Sequence, residues 1–164
     1  TPNIHDSHHT LLGKWNTLAD STRSTKQMHY SSLNNLSNGL SDLGRREEAL
    51  VAIAEAVGIR RDLSASRPAA FLPDLASSLN NQSSWLSDLG RREEAVKAAE
   101  EAVLTLWPYF KRWPEAFGGK MQMMRRKYGE YLREVGRGPE AKIVSILQEI
   151  DQALAEWEET GSPS

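Results

Sequence analysis

The residues best suited to chemistry stand near the start of the chain. Ile4-His5-Asp6-Ser7-His8-His9 holds three of its four histidines. On a helix His5, His8 and His9 share a face, and imidazoles so placed are donors that zinc accepts. No carboxylate or cysteine completes a convincing set, and the segment is terminal. We therefore read it as a solvated helix start and expect no metal. A second candidate is the basic run Lys120, Arg125-Arg126-Lys127. Such clusters hold phosphates, but Glu130 and Glu134 follow one or two helical turns later and offer internal ion pairs. The expectation is an ion-paired, solvated face, with nucleic acid disfavoured. Catalytic signatures are missing: there is no HExxH, Walker loop, nucleophile elbow or dinucleotide fingerprint. Gly136-Arg137-Gly138 is a turn too short to cradle a phosphate, and the many serines lack a paired His and Asp. A protein that is not an enzyme and carries no cofactor is expected.

The elements that would position any site come from one stretch written twice. Residues 31–57 and 77–103 agree at 20 of 27 positions, with an offset of 46 residues. A fainter third copy follows at the same offset, with Val135-Gly136-Arg137 where Leu43-Gly44-Arg45 and Leu89-Gly90-Arg91 stand. Pro114 and Phe117 repeat Pro68 and Phe71. A fixed period of this length marks a solenoid. Each copy reads as two helices. Leu33, Leu36, Leu40 and Leu43 lie at spacings of three and four, one face of a helix. Gly44 stops that helix, because glycine takes the left-handed C-cap conformation without penalty. Arg45-Arg46-Glu47-Glu48 opens the second helix, which buries Ala49, Ile53, Ala56 and Val57. So short a joint makes the pair an antiparallel hairpin.

These residues resemble the tetratricopeptide repeat. The family's places are held by Leu33, Leu36-Ser37, Leu40, Gly44, Ala49 and Ala56, then by Leu79, Gln82-Ser83, Leu86, Gly90, Ala95 and Ala102. In the third copy they are held by Arg125, Tyr128-Gly129, Leu132, Gly136, Ala141 and Gln148. The LNN opening resembles the long repeats of kinesin light chains, and SDLGRREEA resembles repeat arrays of large bacterial signalling proteins. Three departures stand out: a period of 46 rather than ~34, Ser at the small helix-packing position of two copies, and Gln82 in place of Leu. The resemblance implies an all-α, right-handed α-solenoid of three helical hairpins with an extra N-terminal helix. Residues 1–21 form that helix or partial repeat, 22–67, 68–113 and 114–159 the three repeats, and 160–164 a tail.

The resemblance also implies where a ligand sits. In the family the first helix of each hairpin lines a concave groove. Its register selects Asn34, Asn35 and Asn38 in copy one, Asn80, Asn81 and Ser84 in copy two, and Arg126, Lys127 and Glu130 in copy three. Asparagine suits an extended peptide because its amide both donates and accepts. Asn38, Asn81 and Lys127 match three of the five places of the clamp by which some family members grip a C-terminal carboxylate, whereas Asn34 and Met123 replace its lysines. The alternative is that the asparagines cap, bridge hairpins or face water. The expected partner is a peptide or protein segment, including another domain of a signalling parent protein. The competing expectation is a scaffold that self-associates through its open ends, as a monomer or weak homo-oligomer.

The remaining chain bounds these readings. A net charge of −2 and 26% charged residues give no pull toward nucleic acid or acidic membranes. There is no cysteine, hence no disulfide. No apolar run approaches the ~20 residues of a membrane span, and no secretory signal is visible, so a cytoplasmic location is expected. The start Thr1-Pro2-Asn3, without Met, predicts a piece of a larger protein. Leu11, Leu12, Trp15 and Leu18 predict a short helix ending near Ala19-Asp20, in the place of a preceding repeat's second helix. Pro73 is either tolerated in its helix or splits off a lead-in turn. Trp107-Pro108-Tyr109-Phe110 and Trp113-Pro114 read as an aromatic plug between repeats two and three, or as an exposed patch. A last helix is expected over 138–158, its stripe Ile143, Ile146, Leu147, Ile150, Leu154 and Trp157 being core or a terminal seam.

Overall fold

Glycine sets the joints of this molecule. In the computed structural model, which describes the backbone of residues 4–161 and the side chains of residues 17–160, Gly44, Gly90 and Gly136 have φ of 73°, 73° and 72°. All three close the same paired-bond motif. Arg45 N donates to Leu40 O at 2.8 Å, Arg91 N to Leu86 O at 2.9 Å and Arg137 N to Leu132 O at 3.2 Å. The glycine N–H of each turn bonds three residues back, to Ser41, Ser87 and Arg133. This uses up the carbonyls that a helix end leaves free.

Six α-helices result among the described residues: α1 (Ile4–Asp42), α2 (Arg46–Ser66), α3 (Pro68–Asp88), α4 (Arg92–Arg112), α5 (Pro114–Val135) and α6 (Val144–Gly161). Each packs chiefly on its neighbours in sequence, and no strand occurs among the described residues. This is the expected all-α solenoid of helical hairpins. Pro68 and Pro114 open α3 and α5 in the first turn, where a missing N–H costs nothing. Pro73 and Pro108 lie inside α3 and α4, and neither ends its helix. With α2, α3 and α4 at 21 residues each, the long period comes from long helices rather than long joints.

Two boundaries differ from expectation. The first helix does not end near Ala19-Asp20 but runs on unbroken to Asp42. The place equivalent to Pro68 is Thr22, and nothing there stops a helix. Thr22 Oγ1 instead donates to Leu18 O at 2.9 Å, Thr25 Oγ1 to Ser21 O at 3.0 Å, and Asp20 pairs with Arg23 at 2.6 Å. At the other end, Pro139 is not in the first turn of the last helix. Residues 137–140 stay irregular, a 3-10 turn covers Ala141–Ile143, and α6 starts at Val144. A residue before proline is held away from the helical region, so Gly138-Pro139 delays the start.

The core runs along the hairpin seams. Ala49, Ala56, Ala95 and Ala102 are fully buried and let paired helices approach, while Ile53, Leu79, Leu106, Phe110 and Ile150 fill the space between pairs. Each large side chain so buried stabilises by roughly 1.5–3 kcal/mol. The ion pairs are mostly exposed on both partners and contribute about 0–1 kcal/mol each. Apolar packing therefore holds the array.

One expected stripe is only half used. Leu40 is buried and Leu33 partly so, but Leu36 is 52% and Leu43 74% exposed. Tyr30 and Ser37 take their places in the core. Ser37 Oγ donates to Ala49 O at 2.9 Å and accepts from Trp85 Nε1 at 2.7 Å. The departure from Gly or Ala at this position is thus a polar rivet joining α1, α2 and α3. The C-terminal stripe is core: Ile143, Leu147, Ile150, Leu154 and Trp157 are all buried.

Candidate functional site

The residues expected to line a groove fall on α1, α3 and α5, the first helices of the three hairpins, at equivalent places of the three copies. Asn34, Asn80 and Arg126 form the first column of equivalents, Asn35, Asn81 and Lys127 the second, Asn38, Ser84 and Glu130 the third. Asn35, Asn38 and Arg126 are exposed, while Asn34, Asn81, Ser84, Lys127 and Glu130 are half-buried. Asn80 is only 4% exposed. Its side chain belongs to the helix packing and is not open to a ligand, and its backbone carbonyl accepts from Ser83 Oγ at 2.7 Å and Ser84 Oγ at 3.2 Å.

Two bonds tie the columns across helices. Asn34 Oδ1 accepts from Ser78 Oγ at 3.5 Å, joining α1 to α3. Lys127 Nζ donates to Ser84 Oγ at 2.6 Å, joining α5 to α3. Partial burial pushes the Lys127 ammonium below the ordinary lysine range, and nearby Arg126 pushes the same way, against Glu130 and Asp88. A half-desolvated ammonium beside the Ser84 hydroxyl is a donor for carbonyl or carboxylate oxygens.

The two arginines of the basic run are occupied internally. Arg125 Nε meets Asp151 Oδ1 of α6 at 2.8 Å, and Arg126 Nε meets Glu130 Oε1 at 3.8 Å. Glu134 pairs with Arg92 of α4 at 3.7 Å, not with the cluster. His5, His8 and His9 lie outside the described side chains. Among the described residues no group of three or more His, Asp or Glu is placed to hold a metal ion. No described helix is long and apolar enough to cross a membrane.

A buried polar knot beside the groove escaped the sequence reading. Arg60, only 7% exposed, lies over the Tyr30 ring with its guanidinium carbon 4.1 Å from the centroid. It donates to Asp74 O at 3.0 Å and to Ser78 Oγ, while Tyr30 Oη lies 3.4 Å from Asp74 Oδ2. One signal was available: Arg60 stands where copy two has Leu106 and Tyr30 where it has Ala76, a paired exchange at core positions.

The aromatic junction divides between its two readings. Phe110 is fully buried, and Tyr109 Oη donates to Pro68 O at 3.0 Å, latching the end of α4 to the start of α3. Tyr109 stacks on Trp113 at 6.2 Å and meets Phe117 edge-on at 6.0 Å. Trp113, at 48% exposure, is the one ring that faces outward. Behind this junction a cleft of about 430 Å³ opens between the end of α4, the start of α5 and α6.

Residues 31–64 and 75–105 match the family model for the tetratricopeptide repeat. The matched segments lie within the two hairpins α1–α2 and α3–α4; the third repeats the glycine turn of both and the proline start of the second at the same offset. Repeats of this family mediate protein–protein interaction. No match was found among curated proteins.

Proposed function

We propose that this chain, a tetratricopeptide repeat array, is a non-catalytic module that binds an extended peptide or protein segment along α1, α3 and α5. In that role it is a sensor or regulatory part of a larger signalling protein. The observation that carries the reading is the donor row formed by Asn35, Asn38, Asn81 and Lys127. It spans all three hairpins and is open or half-open throughout. Asparagine amides match the alternating donors and acceptors of a peptide backbone, and Lys127 adds a charged donor at one end. Asn34 and Ser84 are drawn into inter-helix bonds and set the spacing of the row.

Affinity capture from the source lysate tests this, with wild-type protein beside the triple variant Asn38→Ala, Asn81→Ala, Lys127→Ala. A partner held by wild type and lost by the variant supports the groove. A partner retained by the variant refutes it.

A second reading rests on the uncovered N-terminal edge, where Leu18, Leu36, Leu43 and Val51 are 61%, 52%, 74% and 68% exposed. In copy two the residue equivalent to Leu36 is Gln82, which faces Leu50 and Val51 of the preceding hairpin. Solenoid ends need a cap or a neighbour, so this edge favours stacking of a further copy. Light scattering over a concentration series separates the readings, because a peptide receptor alone stays monomeric.

A further inference from the structure

The cleft between α4, α5 and α6 lies apart from the groove and has walls of two kinds. Trp107, Phe110 and Trp157 supply rings, and Glu115, Glu149 and Glu156 supply carboxylates. At one wall of the cleft α6 meets α5 closely: the Trp157 ring sits directly against Gly118 of α5, where any side chain would collide with it. No comparable joint occurs in the other two hairpins, whose equivalents of Gly118 are Lys26 and Leu72.

One ammonium is already held on these walls. Lys111 Nζ lies 5.4 Å from the Trp107 ring centroid and 3.9 Å from Glu149 Oε2. A ring face plus a carboxylate is a paired attraction for a cation, the ring through its quadrupole and the carboxylate through its charge. The cleft carries three carboxylates against this single ammonium, so it retains charge for a second cation. Trp157 itself carries a buried Nε1 with no acceptor among the described residues. A volume near 430 Å³ suits one or two side chains rather than a folded surface.

We propose that this cleft takes a basic peptide segment, with an Arg or Lys side chain on Glu149 and Glu156 and a neighbouring apolar side chain against Trp107 and Phe110. Charge complementarity selects the occupant: an acidic segment meets like charge, and a purely apolar one leaves Glu156 without a cation. The site is independent of the groove, so one array is able to hold two segments, or two parts of one partner.

The test uses a random heptapeptide display library panned on the purified chain, followed by affinity measurement on the recovered peptides. Arg or Lys beside Leu, Ile, Val or Phe should be enriched. For these peptides the double variant Glu149→Gln, Glu156→Gln should weaken binding about tenfold, and raising the salt should weaken it further. Both side chains are exposed, so the variant keeps its fold. The groove variant Asn38→Ala, Asn81→Ala, Lys127→Ala should bind the same peptides unchanged, which distinguishes failure of this site from failure of the groove. Failure to enrich basic peptides, or indifference of the enriched ones to the double variant, overturns the proposal. Full competition by arginine amide at the peptide's own concentration overturns the assignment to a peptide.

Discussion

Gly118 and Gly119 are neighbours in α5, and replacing each by alanine should move stability in opposite directions. A Cβ built on Gly118 falls 2.3, 2.5 and 2.6 Å from Cε2, Cδ2 and Cζ2 of Trp157. Carbon atoms pack best at about 3.5–4.0 Å, so the indole must retreat by roughly 1 Å or more. It has little room, being 8% exposed. Overpacking of this kind costs about 1–3 kcal/mol. A Cβ on Gly119 meets nothing within 4 Å. Both changes gain the helix propensity of alanine over glycine, about 0.8–1 kcal/mol, and that gain cancels in their difference. Gly119→Ala should therefore stabilise by a little under 1 kcal/mol. Gly118→Ala should lie about 1–3 kcal/mol below it. Urea unfolding followed by tryptophan emission reads this difference as a midpoint shift of roughly 1 M. In a Trp157→Leu background the clash is gone, and Gly118→Ala should turn stabilising. Equal midpoints for the two single variants would refute the close seating of the Trp157 ring on Gly118.

Two further outcomes follow from the polar core. Ser37→Ala removes the acceptor of Trp85 Nε1 and the donor to Ala49 O, and should destabilise by about 1–3 kcal/mol in urea. Adding Trp85→Phe should recover part of that loss, because the orphaned N–H is gone; a purely additive pair would count against the rivet. Burial, with its hydrogen bond to Glu100 at 2.7 Å, holds the Tyr128 phenol well above the usual value near 10. A raised acid is neutral in the folded state, so its contribution is complete below pH 10 and lost as pH climbs past it. Ultraviolet titration should show a phenol that ionises only with unfolding, absent in Tyr128→Phe; a phenol titrating reversibly at ordinary pH in the folded chain would contradict the geometry.

What the sequence made legible is what local chemistry fixes. Gly44, Gly90 and Gly136 each need a left-handed backbone that other residues adopt at a cost, so the three joints could be read directly. Pro68 and Pro114 marked helix starts for an equally local reason. The helix start expected around Thr22 failed because no such residue stands there. The period of Leu33, Leu36, Leu40 and Leu43 identified a helix face but not which neighbour covers it. Leu36 and Leu43 are exposed because no hairpin precedes theirs among the described residues. The Arg60–Tyr30 stack and the Trp157–Gly118 contact join residues about 30 or more positions apart, outside the reach of any local rule.

The copies agree most closely at their turns, and the third departs from the other two along the columns of the first helices, of which only Asn80 is buried in the packing. Down the first two columns the residues change from Asn34 and Asn35, through Asn80 and Asn81, to Arg126 and Lys127. Copies constrained by folding alone have no reason to replace neutral amides by cations in only the last of three equivalent places. Glu130 offsets one of those charges through Arg126 at 3.8 Å, which leaves Lys127 as the distinctive group. Its ammonium is half-desolvated, so a negative partner gains more there than at an open lysine. A segment lying along the groove should therefore place its backbone over α1 and α3 and its carboxylate over α5. Reversing the lysine charge by Lys127→Glu should cost such a ligand more affinity than removing any single asparagine amide.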